Sequence, residues 1–278
     1  MADNPVAVPG DATPPPADPR AVLSRPAPPP DAQVRYGDHP DHVADLRAPA
    51  PGPSPRPLVV VIHGGFWRAE YDRTHTGPLA ADLAARGYPV AQLEYRRTGQ
   101  PGGGWPGTLD DVAAGVAALP DLARRGLPAG RVAPGPPILL GHSAGGHLAL
   151  WYATLASADL RGVVALAPVA DLAEAYRRDL DGGAVAALLG GGPDDVPERY
   201  AAADPARRTP PGVPVRIVHG RLDRQVPVEM SVGYAARARR SGADVRLVEL
   251  PDCEHFGVID PLSPAWATVL DALHSVGN

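Results

Sequence analysis

The 278-residue chain contains no lysine and a single cysteine. One cysteine, Cys253, cannot close an internal disulfide, and this excludes a small scaffold held together by disulfides. All 26 basic side chains are therefore arginines, and the 31 acidic residues give a formal net charge of −5. A charge of this sign and size does not favour a nucleic-acid surface, so we expect no nucleic-acid partner.

Long hydrophobic runs are also absent. No apolar stretch approaches the ~20 residues that cross a bilayer, so we expect no membrane partner. Residues 1–32 are rich in Pro, Ala and Asp and lack a basic segment followed by an apolar core, which argues against a secretory signal and favours a cytoplasmic location. This composition predicts a disordered tail whose removal leaves activity and stability nearly unchanged. Residues 33–278 have the length of one domain.

That domain alternates between β-branched apolar runs and helical patterns. We predict strands near residues 58–62, 90–95, 138–140, 162–166, 215–219 and 245–250. Helical patterns lie between them, at residues 78–86, 109–119, 144–155, 228–241 and 264–276. This alternation predicts an α/β fold with a mostly parallel central sheet and helices on both faces. Residues 171–212 interrupt it as a small insertion, which is either a cap over a pocket or a plain surface connection.

A Gly-x-Ser-x-Gly pentapeptide lies at residues 141–145, between a predicted strand and a predicted helix. In a nucleophile elbow the chain turns so sharply that only small neighbours avoid a clash. The turn exposes the serine above the sheet, at the positive end of the helix. We therefore predict that Ser143 is a catalytic nucleophile.

A His-Gly-Gly-Phe-Trp motif follows the strand at 58–62. Glycines in this loop let backbone N–H groups point at the negative oxygen of a tetrahedral intermediate without side chains in the way. The candidate donors of this oxyanion hole are the N–H groups of Gly64, Gly65, Phe66 and Ala144.

Three side chains near these motifs are candidate substrate contacts: Trp67, His142 and Trp105. The tryptophan that follows the glycines favours a pocket wall, although core packing explains it equally well. Trp105 lies in the glycine-rich loop 99–107, which either edges the site or is a linker that this side chain anchors to the core.

The last two predicted strands end in loops that carry an acid and a base. Asp223 follows the strand at 215–219, and His255 follows the strand at 245–250. The order serine, aspartate, histidine is that of α/β-hydrolase triads. All the candidates lie at the carboxyl ends of strands, where open α/β sheets bind ligands.

Rival residues exist for each role. Asp171, after the strand at 162–166, is an alternative acid, and other histidines also lie near strand ends: His63, His142, His147 and His219. Cys253 is close to His255, but the serine turn explains more of the sequence, so we interpret this cysteine as a small loop hydrophobe.

Together these motifs resemble the α/β-hydrolase superfamily, and within it the His-Gly-Gly branch. This branch includes hormone-sensitive-lipase-like esterases, feruloyl-esterase-like domains and kynurenine formamidases. The resemblance covers about residues 33–278, and residues 36–49 are similar to the branch's opening antiparallel hairpin. The His-Gly-Gly-aromatic-Trp form favours the kynurenine formamidases. Phe66 stands where the lipase-like enzymes usually have a third glycine, which argues against a straightforward lipase.

The resemblance implies a serine hydrolase that cleaves a small ester or amide through an acyl-enzyme, as a carboxylesterase or an arylformamidase. His255 would take the proton of Ser143, and Asp223 would orient the imidazole. We expect neither a metal nor another cofactor, because no His-Glu-x-x-His or paired-cysteine spacing is present. The alternatives are a prolyl-oligopeptidase-like peptidase and a non-catalytic binding protein of the same fold. The sequence leaves the oligomeric state open.

Overall fold

The computed structural model describes residues 18–277 and is built on one sheet of eight strands. The strands are β1 (Ala32–Arg35), β2 (Val43–Arg47), β3 (Val59–Ile62), β4 (Val90–Leu93), β5 (Ile138–His142), β6 (Gly162–Leu166), β7 (Val215–Gly220) and β8 (Val245–Leu250). They lie in the order β1-β2-β4-β3-β5-β6-β7-β8. The β1–β2 and β2–β4 pairs are antiparallel, and the remaining pairs are parallel. The predicted mostly parallel sheet is therefore confirmed.

Helices cover both faces of this sheet, as predicted. They are α1 (Ala21–Ser24), α2 (Gly77–Ala85), α3 (Gly107–Gly126), α4 (Ala144–Tyr152), α5 (Leu172–Arg177), α6 (Ala184–Leu189), α7 (Pro197–Ala203), α8 (Val228–Arg240) and α9 (Trp266–Gly277). Successive strand residues point to opposite faces. Val60 and Ile62 pack with α3, α4 and α8, whereas Val59 and Val61 pack with α2 and α9. None of the helices within residues 18–277 combines the length and apolarity needed to cross a bilayer.

Two helical regions differ in detail from the sequence pattern. The pattern ended α3 at residue 119 because Pro120 has no N–H to donate, but the helix continues to Gly126. Leu119 and Ala123 are both fully buried, so packing against the sheet holds the turn that contains the proline. The predicted insertion after β6 consists of the short helices α5, α6 and α7.

The structure corrects the boundary of the predicted disordered tail. Residues 18–31, which we call the N-terminal strap, contain α1 and pack on the domain, while residues 1–17 lie outside the described part of the chain. Val22 is 1% exposed and belongs to the apolar cluster under α2 and α9. Arg25 forms two hydrogen bonds with the Asp260 carboxylate, one of them 2.9 Å long. Arg47 donates to the Pro28 carbonyl oxygen at 2.8 Å.

These anchors explain why composition alone gave the wrong boundary. The Pro-rich strap buries little apolar surface of its own, and a segment of that kind is usually disordered. Val22, the Arg25–Asp260 ion pair and the hydrogen bond from Arg47 to Pro28 fix it because the folded domain supplies the surfaces and side chains that receive them.

We expect the substitution Val22→Ala to lower the free energy of unfolding by about 1–3 kcal/mol, since it removes two buried methyl groups and leaves a cavity. Denaturant unfolding monitored by circular dichroism measures this change. Leu262→Ala is the matched control, because Leu262 is 77% exposed, and we expect it to change stability by less than about 0.5 kcal/mol. Equal stability of the Val22→Ala variant and the wild type would show that the strap does not dock.

Candidate active site

The turn at Ser143 joins the end of β5 to the start of α4. Ser143 has φ of +56° and ψ of −117°, a backbone conformation that non-glycine residues rarely adopt. A Cβ at Gly141 would lie 2.2 Å from the Gly145 carbonyl oxygen, and a Cβ at Gly145 would lie 2.0 Å from the Ile62 carbonyl oxygen. Only glycine fits at both positions, so the pentapeptide forms the sharp elbow that its sequence predicted.

The Asp223 carboxylate lies in the loop after β7 and accepts four hydrogen bonds. Oδ2 accepts from His255 Nδ1 at 2.6 Å and from His219 Nε2 at 3.1 Å. Oδ1 accepts from the backbone N–H groups of Gln225 and Val226, both at 2.8 Å. Burial raises the pKa of this carboxyl group, but the hydrogen bonds from the two histidines outweigh burial and hold the pKa well below its usual value. Asp223 is therefore an anion at neutral pH.

His255 is buried beside this anion, in the loop after β8. Because Nδ1 donates to Asp223, a neutral imidazole carries its lone pair on Nε2, which is the form that accepts a proton from a nucleophile. His255 and Ser143 line one cavity of about 240 Å³. The Ser143 hydroxyl makes no hydrogen bond within residues 18–277, so it is not committed to another partner.

The rival acid, Asp171, has a structural role. Its carboxylate accepts from the Glu174 N–H at 2.8 Å and caps the start of α5. It also accepts from Arg237 Nη2 at 3.0 Å. The structure therefore brings Asp223, and not Asp171, to His255.

The remaining rival groups are also accounted for. His147 Nε2 donates to the Ala203 carbonyl oxygen at 3.0 Å, and burial lowers the pKa of His147 to about 4. His219 donates to Asp223 and helps to fix its orientation, a role that sequence reasoning missed although the two residues are only four apart. Burial raises the pKa of the Cys253 thiol to about 11, so it is protonated at neutral pH and a poor nucleophile.

The His-Gly-Gly loop after β3 lies directly against the elbow. A Cβ at Gly64 would lie 3.0 Å from the Ser143 Cβ, and Gly65 and Phe66 line the cavity. Ala144 begins α4, where first-turn N–H groups have no partner inside the helix. Within residues 18–277 the N–H groups of Gly65, Phe66 and Ala144 donate to no other atom. Donors of this kind are suited to an anionic oxygen.

A buried charge network fixes the loop from behind. His63 Nδ1 lies 2.8 Å from the Gly64 carbonyl oxygen, and His63 Nε2 lies 2.9 Å from Glu94 Oε1. Burial alone would raise the pKa of Glu94. The charge of His63, its hydrogen bond and the nearby charge of Arg97 outweigh burial and lower the pKa to about 2. Glu94 is a positioning residue that the sequence motifs did not identify.

The structure does not bring all three predicted substrate contacts to the cavity. His142 lines it and donates from Nε2 to the His255 carbonyl oxygen at 3.0 Å. Trp67 is instead fully buried, with its ring edge-on to His147 at a centroid distance of 5.2 Å. Trp105 is held by its backbone N–H on the Leu188 carbonyl oxygen and lies outside the cavity. Trp67 therefore packs in the core, and Trp105 is partly buried against the core outside the cavity wall.

Residues that the sequence did not suggest form much of the cavity wall. They are Arg20, Leu23, Tyr71, His75, Asp181 and Phe256. The first two belong to the N-terminal strap, and Asp181 lies between α5 and α6. The strap and the insertion therefore both contribute to the wall.

The mostly parallel sheet, the strained serine turn after β5 and the acid and histidine loops after β7 and β8 define a member of the α/β-hydrolase superfamily. The profile of the BD-FAE family matches residues 44–237, which is more than half of the chain. The chain therefore belongs to the BD-FAE family.

Individual relatives are more distant. Esterase LipC of Mycobacterium tuberculosis (strain ATCC 25618 / H37Rv) is 27% identical over 87% of this chain and 65% of that protein. A probable isoprenylcysteine alpha-carbonyl methylesterase of Oryza sativa subsp. japonica is 32% identical over 42% of this chain and 26% of that protein. The chain thus spans less than two thirds of the length of these curated relatives. Esterase B from Lactobacillus rhamnosis shares the fold, with a TM-score of 0.72 at 20% identity over 93% of this chain and 89% of that one.

We expect Asp223→Asn to slow the reaction of Ser143 with a fluorophosphonate about 100-fold or more. An amide keeps the size of the side chain but favours the wrong imidazole tautomer and removes the charge beside it; in a comparable triad the change costs about 10⁴-fold in turnover. Mass spectrometry of the labelled serine over time measures the rate. Asp171→Asn is the control and is expected to label at a nearly unchanged rate, with circular dichroism to confirm that both variants fold. The reverse order of rates would assign the acid to Asp171.

Proposed function

We propose that the chain is a serine hydrolase that cleaves a small ester by a Ser143–His255–Asp223 triad through an acyl-enzyme. The observation that carries this proposal is the 2.6 Å hydrogen bond from His255 to a buried, anionic Asp223. His255 also lines the same cavity as Ser143, whose backbone is strained. A side-chain arrangement of this kind has no evident use in a protein that only binds, because the elbow and the buried carboxylate both cost stability.

In the first half of the reaction Ser143 Oγ attacks the ester carbonyl carbon as His255 Nε2 takes its proton. The carbonyl oxygen becomes an anion that the N–H groups of the Gly64–Phe66 loop and of Ala144 stabilise. His255 then gives the proton to the leaving alcohol, and the acyl group stays on the serine. Asp223 stabilises the imidazolium that forms between these two steps.

In the second half a water molecule replaces the alcohol. His255 takes a proton from the water as its oxygen attacks the acyl-enzyme, and the same N–H groups receive the new oxyanion. Return of the proton to Ser143 Oγ releases a carboxylic acid. The cycle consumes one water and yields one alcohol and one acid for each ester.

An ester is a better substrate candidate than a formamide. The names of the relatives describe an esterase and a methylesterase. The aromatic slot expected for a kynurenine formamidase rested partly on Trp67 and Trp105, and neither lines the cavity. A volume of about 240 Å³ suits a small acyl or alcohol group. A cytoplasmic location stays a prediction from the sequence.

We expect the protein to hydrolyse short-chain p-nitrophenyl esters and Ser143→Ala to lower the turnover number by about 10⁶-fold, because the residues of a triad act as a unit. Release of p-nitrophenol measures the rate. The panel includes N-formylkynurenine and a proline-containing peptide, whose hydrolysis at a higher kcat/KM would favour a formamidase or a peptidase. A wild-type protein that hydrolyses no member of the panel and is not labelled at Ser143 would contradict the proposal and leave a binding protein.

A further inference from the structure

The N-terminal strap places a cation in the wall of the active-site cavity. Arg20 lines the cavity with Ser143 and His255, and its guanidinium carbon lies 5.3 Å from the centroid of the Phe256 ring. The Phe256 ring in turn lies 5.1 Å from the His255 imidazole, measured between centroids. The Phe256 ring therefore neighbours both the cation and the His255 imidazole.

The backbone that carries Arg20 is held on both sides. The Arg20 N–H donates to Asp18 Oδ1 at 2.9 Å, and the Arg20 carbonyl oxygen accepts from the Leu23 N–H at 2.9 Å. Val22 is buried in the core, and Arg25 is paired with Asp260. The position of the Arg20 side chain is thus set by the docked strap.

The acidic groups beside the cavity are engaged by donors other than the Arg20 guanidinium, and the Asp18 carboxylate accepts from the Arg20 backbone N–H. The Asp181 carboxylate also lines the cavity, but it accepts from Arg68 Nε at 2.5 Å. The Glu254 carboxylate, next to the histidine loop, accepts from the N–H groups of Phe256 and Gly257 at 2.9 and 2.6 Å. The Arg20 guanidinium forms no ion pair with any acid within residues 18–277.

Two further histidines of the wall, His75 and His142, are neutral at neutral pH. Burial and the charge of His63 lower the pKa of His75 to about 4, so it is neutral. His142 is fully buried beside His255, and burial holds its pKa well below the usual value. Asp181 is paired with Arg68, whereas Arg20 pairs with no acid within residues 18–277, so the guanidinium offers a positive charge to the cavity.

We propose that Arg20 is a specificity-determining residue that binds a carboxylate of the substrate, so that the preferred substrates are small esters that also carry a free carboxylate. This inference rests on the proposed ester hydrolysis. The guanidinium offers several N–H donors and is suited to a carboxylate, which it binds in a bidentate manner. A cavity of about 240 Å³ suits a short aliphatic spacer between the ester and the carboxylate, as in the monoester of a four-carbon dicarboxylic acid.

The test compares two ethyl esters that differ in charge and hardly in shape. Monoethyl succinate carries a carboxylate where ethyl 4-oxopentanoate carries a neutral methyl ketone, and released ethanol measures kcat/KM for both. The measured quantity is the kcat/KM for the charged ester divided by the kcat/KM for the neutral ester. We expect this ratio to be about 10-fold lower in Arg20→Gln than in the wild type. Arg20→Lys keeps the charge and is expected to recover part of the ratio. Raising the salt concentration to about 1 M is expected to lower the wild-type ratio, because salt screens an exposed charge.

Arg125→Gln is the charge-matched control. Arg125 is exposed in the last turn of α3. This turn lies at the amino ends of the parallel strands, opposite the loops that carry the candidate triad. Replacing Arg125 by glutamine changes the net charge by the same amount as replacing Arg20. We expect this variant to keep the wild-type ratio. Melting temperatures of all variants confirm that they fold.

The outcomes separate this inference from the proposed function. If both esters are hydrolysed and the ratio is the same in wild type and Arg20→Gln, Arg20 does not select the substrate and the inference is overturned. The inference is likewise overturned if Ser143 is labelled by a fluorophosphonate but the wild type hydrolyses only the neutral ester. If Ser143 is not labelled and neither ester is hydrolysed, the proposed function itself fails.

Discussion

The close approach of the serine turn to the end of β3 is the constraint on which the site depends. The Gly145 Cα faces the Ile62 and His63 carbonyl oxygens with no room for a side chain, and Gly64 meets the Ser143 Cβ in the same way. Two segments about 80 positions apart in the sequence are therefore in backbone contact. This contact puts the candidate nucleophile and the candidate oxyanion donors in one place without any movable side chain between them, which is the preorganisation that charge stabilisation needs.

Two buried carboxylates, each hydrogen-bonded to a histidine, fix the loops around this contact. Glu94 holds His63 beneath the His-Gly-Gly loop, and Asp223 holds His255 opposite it. A buried carboxylate is tolerated only when hydrogen bonds and opposite charges offset its desolvation. Both carboxyl groups have lowered pKa values, so both stay anionic at neutral pH. The same network that satisfies each buried charge also fixes the rotamer of the histidine beside it.

The sequence predicted those parts of the site whose structure is set by neighbouring residues in the chain. Ser143, Asp223 and His255 each follow an apolar strand, and small residues or loops mark those ends in the sequence itself. Trp67 was misplaced because its contacts are non-local: its ring packs edge-on against His147, 80 positions away in the sequence. The strap was missed because its anchors are non-local: the Arg25–Asp260 ion pair joins residues 235 positions apart. No composition window contains both partners of such a contact.

The candidate catalytic residues and part of the cavity wall are held by different segments of the chain. The candidate catalytic residues follow the carboxyl ends of strands, where the sheet sets their geometry. Part of the cavity wall comes from outside the sheet and its strand-end loops: Arg20 and Leu23 belong to the strap, and Asp181 belongs to the insertion after β6. Substitutions at Arg20, Leu23 or Asp181 can therefore change the charge and shape of the cavity while leaving the Asp223–His255 bond and the serine turn intact. In such an arrangement the residues of the cavity wall can change independently of the candidate catalytic residues.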